Sequence, residues 1–260
     1  MVRAVCYQTV PTPVENPMSL AVLALAVVAV PPAAFRWEVH DKSRPLPPVV
    51  DPGPAAPSAP APSDATVLLG AEGPSAWRGG PWTFADGVLT VAPGTGDIRT
   101  AESFGDCQLH LEWMVPVECK VEGQMGGNSG VFLMDRYELQ ILSSNGNVTY
   151  ADGMAGALYG QYPPLANPCR PQGEWNVYDI VFRAPRFAAD GSLEAPARMS
   201  VLFNGVLVQD DAELLGGTAH MARASYAPHG PGPIRLQDHG DPIRFRNVWV
   251  RPLAPRVGPE

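Results

Sequence analysis

From Arg136 to Ile141 polar and apolar residues alternate without a break. Tyr137, Leu139 and Ile141 take one side, and Arg136, Glu138 and Gln140 take the other. That two-residue period predicts a β-strand with one face turned to a core. The stretch from Gly126 to Ser144 opens on a turn-forming cluster, Gly126-Gly127-Asn128-Ser129-Gly130. A strand of this kind is either a solvent-facing outer strand or the floor of a polar binding site. Solvent faces favour Thr, Lys and Ser, whereas Arg, Glu and Gln suit a ligand's hydroxyls or charges.

The same device recurs along the chain. Between Cys107 and Val115, Cys107, Leu109, Leu111 and Trp113 alternate with Gln108, His110, Glu112 and Met114. Near the end, Ile234, Leu236 and Asp238 alternate with Arg235, Gln237 and His239. Trp175 to Phe182 is apolar on both faces, as a central strand requires. Met199–Phe203 and Val206–Gln209 flank Asn204-Gly205, a type I′ hairpin signal. Ile243 to Val250 alternates until Asn247, where a bulge would shift the register. Helical periodicity is nearly absent; its nearest candidate, Asp211 to Ala224, contains Gly216-Gly217. Short strands at about ten-residue spacing predict an all-β, antiparallel sandwich or barrel.

Residues 66–253 carry this pattern, and what precedes them is different in kind. Leu20 to Val30 is an aliphatic run followed by Pro31-Pro32-Ala33-Ala34, so residues 1–34 read as a signal peptide, with Met18 an alternative start. Residues 35–65 form a proline-rich arm with no periodic apolar face, expected to act as a tether or strap with Trp37 as an anchor. Residues 254–260 are a short tail. A formal charge of −8 argues against nucleic acid or an anionic membrane surface as partner. No run of about 20 apolar residues offers a membrane span. Asn145 to Asn167 is a long loop rich in Gly, Tyr and Pro, and long ordered loops in compact domains usually serve function.

If the three polar rows share one sheet, Gln108, His110, Glu112, Arg136, Glu138, Gln140, Arg235, Gln237 and His239 tile one surface. Planar polar groups of this kind hold sugar hydroxyls, and Tyr150, Tyr159, Tyr162 and Tyr178 can cover the apolar face of a sugar ring. His110, Glu112, Glu138 and His239 could also supply ligands to a divalent metal ion. No nucleophile elbow, P-loop, dinucleotide fingerprint or zinc-protease helix is present. Cys6 falls in the targeting segment. Cys107 lies on a core face, and Cys119 and Cys169, both in loop context, could pair in an oxidising compartment.

At Phe104–Trp113, Gly127–Leu142, Gly156–Phe187 and Gly232–Leu253 the chain resembles the 3-keto-disaccharide hydrolase family. The resemblance implies a concanavalin A-like jelly roll and periplasmic or secreted bacterial carbohydrate metabolism. It also implies action on glycosides whose glucose unit carries a ketone at the 3-position, supplied by an upstream sugar 3-dehydrogenase. The ketone acidifies the hydrogen at the 2-position, so one base can remove it and the 1-position oxygen leaves by elimination; water then adds back. On strand-face reasoning Glu138 or His239 is the base and Glu112 or His110 the acid. Arg136 or Arg235, or a metal ion, holds the developing oxyanion. Gln140, Gln237, Gln108, Tyr159 and Tyr162 are expected to contact substrate. Two rivals stand beside this reading: an ordinary glycoside hydrolase using Glu112 and Glu138 as paired carboxylates, and a non-catalytic lectin-like domain.

Overall fold

A computed structural model of the protein describes residues 36–55, 58 and 60–254. The expected signal peptide, and all of the expected C-terminal tail but Ala254, lie outside the described residues. Those from Trp37 onward form one compact unit. Its strands in chain order are β1 (Thr66–Leu69), β2 (Trp77–Gly79), β3 (Thr83–Ala85), β4 (Val88–Thr90), β5 (Ile98–Thr100), β6 (Cys107–Met114), β7 (Asn128–Leu133) and β8 (Tyr137–Leu142). There follow β9 (Asn176–Arg183), β10 (Arg186–Phe187), β11 (Leu193–Ala195), β12 (Arg198–Phe203), β13 (Val206–Glu213), β14 (Arg235–Leu236) and β15 (Arg244–Pro252). Apart from one 3-10 turn at Ala151–Gly153, no helix is present among the described residues.

Two antiparallel sheets pack face to face. The larger runs β13-β12-β9-β6-β15-β4-β3, with β1 also on β15, and the smaller runs β2-β5-β14-β7-β8. The apolar rows read from the sequence meet between them. Leu109, Leu111 and Trp113 of β6 and Tyr137, Leu139 and Ile141 of β8 are buried, as are Ile234 and Leu236. Trp113, Tyr178 and Phe203 form a ring cluster in this core, with Tyr178 and Phe203 edge to face at 4.8 Å. The Tyr178 hydroxyl spans the layer and donates to the Gln140 carbonyl at 2.7 Å. A buried phenol must find such a partner. Tyr178 is thereby a core residue and no platform for a sugar.

Turn chemistry fixes the register. Asn204 and Gly205 both have positive φ (50° and 82°), as a type I′ hairpin between β12 and β13 needs. Asn247, with φ 46°, marks the bulge in β15, where pairing with β6 shifts between Arg246 and Trp249. The β7–β8 hairpin turns on Met134 and Asp135 (φ 55° and 59°), and Arg136 N–H closes it on the Leu133 carbonyl at 3.1 Å. Arg136 therefore belongs to the turn, exposed, and not to the polar row of β8.

β8 is the outermost strand of the small sheet, and an uncovered edge invites pairing with other chains. The 145–167 loop covers it. Gln140 N–H donates to Ala157 O and Gly156 N–H to Gln140 O, both at 3.0 Å, and Tyr159 N–H donates to Glu138 O at 3.3 Å. The proline-rich arm in turn lies along this loop. Val50 N–H reaches Asn167 O, Asn167 N–H reaches Pro48 O, and the Arg44 guanidinium donates to Gln161 O. The anchor expected at Trp37 is only half-buried; His40 is the buried one.

Cys107, Cys119 and Cys169 are free thiols. The pairing of Cys119 with Cys169 is not formed; the Cys169 thiol instead points at the backbone carbonyls of Leu142 and Arg170. Burial pushes both thiols up, to about 11.

Candidate active site

On the small sheet β8, β7 and β14 lie side by side, so their outward rows meet. Phe132 stands in register between Glu138 and Arg235, and Gly130 opposite Gln140. Gln237 joins the same surface, its N–H donating to the Gly130 carbonyl at 3.0 Å. These residues and Asn128 floor a cleft of about 480 Å³, a volume suited to a small-molecule ligand. The 145–167 loop adds Tyr150 and Tyr159 as a wall. Thr218 and His220 come from the segment after β13, and His239 from the turn before β15.

Glu138 is the central group. It is 5% exposed, and its carboxylate has no hydrogen bond or ion pair among the described residues. Its backbone is tied instead, by Thr218 Oγ1 accepting from the N–H at 3.0 Å. Burial pushes its pKa up to about 8; nearby Arg235 pulls down and Asp97 pushes up. A carboxyl group so placed is ready to exchange a proton near neutral pH.

Arg235 lies flat on Phe132, its Cζ 3.4 Å from the ring centroid. Its fork is held by Asp97 at 2.7 Å and by Asp135. Two carboxylates fix this cation without occupying the cleft. Gln140 donates to Asn128 Oδ1 at 3.1 Å, while its own Oε1 is buried without a partner among the described residues. That atom is an unsatisfied acceptor beneath the cleft floor. The Tyr150 and Tyr159 hydroxyls are 2.9 Å apart, and Tyr159 reaches His220 Nδ1 at 3.4 Å. Burial raises both phenols and keeps them protonated. The cleft thus offers one base of raised pKa, one immobilised cation, amides and phenols.

Of the nine residues expected on one surface, the structure brings together Glu138, Gln140, Arg235, Gln237 and His239, with Tyr159 beside them. Gln108, His110 and Glu112 are not there. They belong to β6 in the large sheet, and since Leu109 and Leu111 face the core, they point out of the opposite side of the sandwich. Periodicity tells which residues share a face of a strand and not which sheet the strand joins. Arg136 is in the turn, and Tyr162 packs on the core away from the cleft. The four residues considered for a metal divide between the two faces. No three His, Cys, Asp or Glu side chains among the described residues converge to hold an ion.

On the far face His110 and Glu112 border a second cleft, of about 540 Å³. His110 meets Asp179 at 2.7 Å and stacks on Trp249. Glu112 accepts from Arg246 (2.6 Å), Asn247 (2.9 Å) and the hydroxyl of Ser58 in the arm. Burial opposes charge on both. The surrounding bonds win, holding Glu112 down at about 2 and His110 up at about 9. These are charges locked in a structural network.

Asn128, Gln124, Phe132, Thr218 and His220 were not read from the sequence as site residues. Asn128 sits in the turn cluster before β7, which was the available signal. Thr218 and His220 fall in a segment whose sequence is at most weakly helical and is broken by Gly216-Gly217.

A family model described as a 3-keto-alpha-glucoside-1,2-lyase-like domain matches residues 64–251. The chain belongs to this family. Within the 3-keto-alpha-glucoside-1,2-lyase-like family's span lie all fifteen strands but the last residue of β15. A crystal structure of a candidate glycosyl hydrolase from Parabacteroides distasonis ATCC 8503 is 43% identical, covering 85% of this chain and 100% of its own, with a TM-score of 0.74. A second candidate glycosyl hydrolase from the same organism is 23% identical, covers 73% and 99%, and has a TM-score of 0.51, which shows the shared fold. No curated protein matches the chain. Family and structural relative together make this a carbohydrate-active, glycoside-acting enzyme.

Proposed function

We propose that this enzyme cleaves glycosides whose glucose unit is a ketone at the 3-position, by elimination across the 1,2-bond followed by hydration. One observation carries the reading: Glu138 is the single carboxylate lining the cleft among the described residues. Ordinary glycosidases need two, an acid and a nucleophile or base flanking the bond. Elimination needs one base. Glu112, the partner considered for a two-carboxylate mechanism, points out of the other face.

In the proposed reaction the Glu138 carboxylate takes the proton from the 2-position. The electron pair moves into an enolate whose oxygen, the former ketone, is stabilised by the Arg235 guanidinium. The enolate then collapses to an enone as the bond from the 1-position to the leaving oxygen breaks. A rim imidazole, His220 or His239, protonates that oxygen. Water adds to the double bond, and the net result is hydrolysis. The Gln140 and Gln237 amides hold hydroxyls, and Tyr150 and Tyr159 cover the ring. A sugar 3-dehydrogenase upstream would supply the ketone. Export of the chain, expected from residues 20–34, belongs to the same proposal and is checked by N-terminal sequencing of a periplasmic fraction.

The test compares trehalose with its 3-keto form, with and without added divalent metal. Turnover of the keto form alone, slowed by deuterium at the 2-position, supports the proposal. Equal hydrolysis of both sugars would promote an ordinary glycosidase, and saturable binding without turnover a lectin.

A further inference from the structure

The arm ahead of the sandwich delivers one side chain to the back of the tyrosine wall. His40 is 9% exposed, although it lies in a segment whose composition gives no apolar face to bury. Its backbone N–H donates to Asp152 Oδ2 at 3.0 Å, and its Nδ1 meets Asp152 Oδ1 at 3.3 Å. Asp152, itself buried, sits in the 3-10 turn between the two tyrosines, and its carbonyl accepts from Gly160 N–H at 2.9 Å. The imidazole is therefore aimed by the loop it covers.

Its ring centroid lies 4.0 Å from that of Tyr150 and 4.9 Å from that of Tyr159. On another side the Tyr150 ring rests against Gly153, where an added Cβ would fall 2.1 Å from the ring. Backbone and imidazole together leave the phenol one orientation. The arrangement carries a cost, because His40 Nε2 is buried without a hydrogen-bond partner. A leucine or phenylalanine would fill the same space without it, so filling space is not a sufficient reason for a histidine here.

We propose that His40 is a positioning residue, through which the N-terminal arm sets the Tyr150–Tyr159 pair that covers the substrate ring. The kinetic half of this rests on the function proposed above; the structural half does not.

The test uses full-length protein labelled with 3-fluorotyrosine, resonances being assigned by single Tyr→Phe changes. In His40→Ala the Tyr150 and Tyr159 fluorine signals should shift and broaden, while that of Tyr226, packed against Tyr137 and Phe187, stays put. Should His40→Ala fail to fold, His40→Gln, which keeps the backbone bond to Asp152, must move the same two signals. With 3-keto-trehalose, KM should rise about tenfold and kcat change less, since loss of uniform binding raises KM. Unmoved tyrosine signals, or moved signals with unchanged KM in an active enzyme, overturn the inference. Moved signals in a protein whose wild type leaves 3-keto-trehalose intact uphold the structural half and sink the proposed function instead.

Discussion

Oε1 of Glu138 occupies the space that a side chain on Gly130 would need. A Cβ at Gly130 would lie 2.6 Å from that oxygen and 2.9 Å from Cε2 of Phe132. Glycine lets the carboxylate lie this close, since β7 and β8 place the two residues on one face. Gly130→Ala should force the carboxylate or the ring aside. Overpacking of this sort costs about 1–3 kcal/mol, and a displacement near 1 Å at a reacting group costs about 10²-fold in turnover. Denaturant unfolding and kcat/KM on 3-keto-trehalose check both figures; native activity in a stable Gly130→Ala protein would remove Glu138 from the chemistry.

Glu138→Gln keeps the shape and removes the proton exchange. Turnover should fall about 10²–10⁴-fold. Stability should move the other way. The folded-state pKa, about 8, lies above the ordinary glutamate value of 4.5. The contribution of this group to stability is thus full below pH 4.5 and declines as pH rises to about 8. Wild type and Glu138→Gln should be equally stable near pH 4, with the variant ahead above pH 8 by an amount on the order of a few kcal/mol. Thermal melts at pH 4, 6 and 8.5 measure this. A constant difference across that range contradicts the raised pKa.

Arg235→Lys retains a charge and loses the fork that Asp97 and Asp135 hold. Losing a preorganised donor to a developing oxyanion costs about 10²–10³-fold in kcat. Added guanidinium should restore part of the rate, while added ammonium should not. Rates are followed by product release at fixed ionic strength.

Glu112→Ala should be destabilising and catalytically silent. It leaves half-buried Arg246 without its carboxylate and buried His110 with Asp179 alone, and losing hydrogen bonds to charged groups costs about 1.5–3 kcal/mol. Its low folded pKa, about 2, means its contribution is present above pH 4.5 and lost as pH falls toward 2. His110, held up at about 9, contributes fully below pH 6.5 and loses that contribution as pH rises through 9. The pair therefore supports the fold most between about pH 4.5 and 6.5. The activity of the folded fraction of Glu112→Ala is the deciding measurement: a loss beyond about threefold, roughly 0.6 kcal/mol, would connect the two faces of the sandwich.

The alternating residues of β6, β8 and β14 made the core legible, because an apolar row at a two-residue period has one place to go. Asn204-Gly205 and Asn247 made two backbone features legible for the same local reason. What could not be read was the assignment of strands to sheets. β6 and β8 have the same pattern and join opposite layers, so His110 and Glu112 looked like neighbours of Glu138. His40 was hidden differently: the arm has no period, and its position follows from contacts made across more than a hundred residues of chain.

The loop over β8 supplies Tyr159 to the cleft with the same backbone that seals the sheet's edge. Lifting it as a swinging cover would strip the Glu138 and Gln140 peptides of their partners and present a bare ribbon on which a second chain could assemble. Substrate entry is therefore expected on the side of the cleft where His220 and His239 stand exposed. A tyrosine wall that stays down keeps the strand's edge covered through every turnover, so that access and resistance to aggregation rest on one loop.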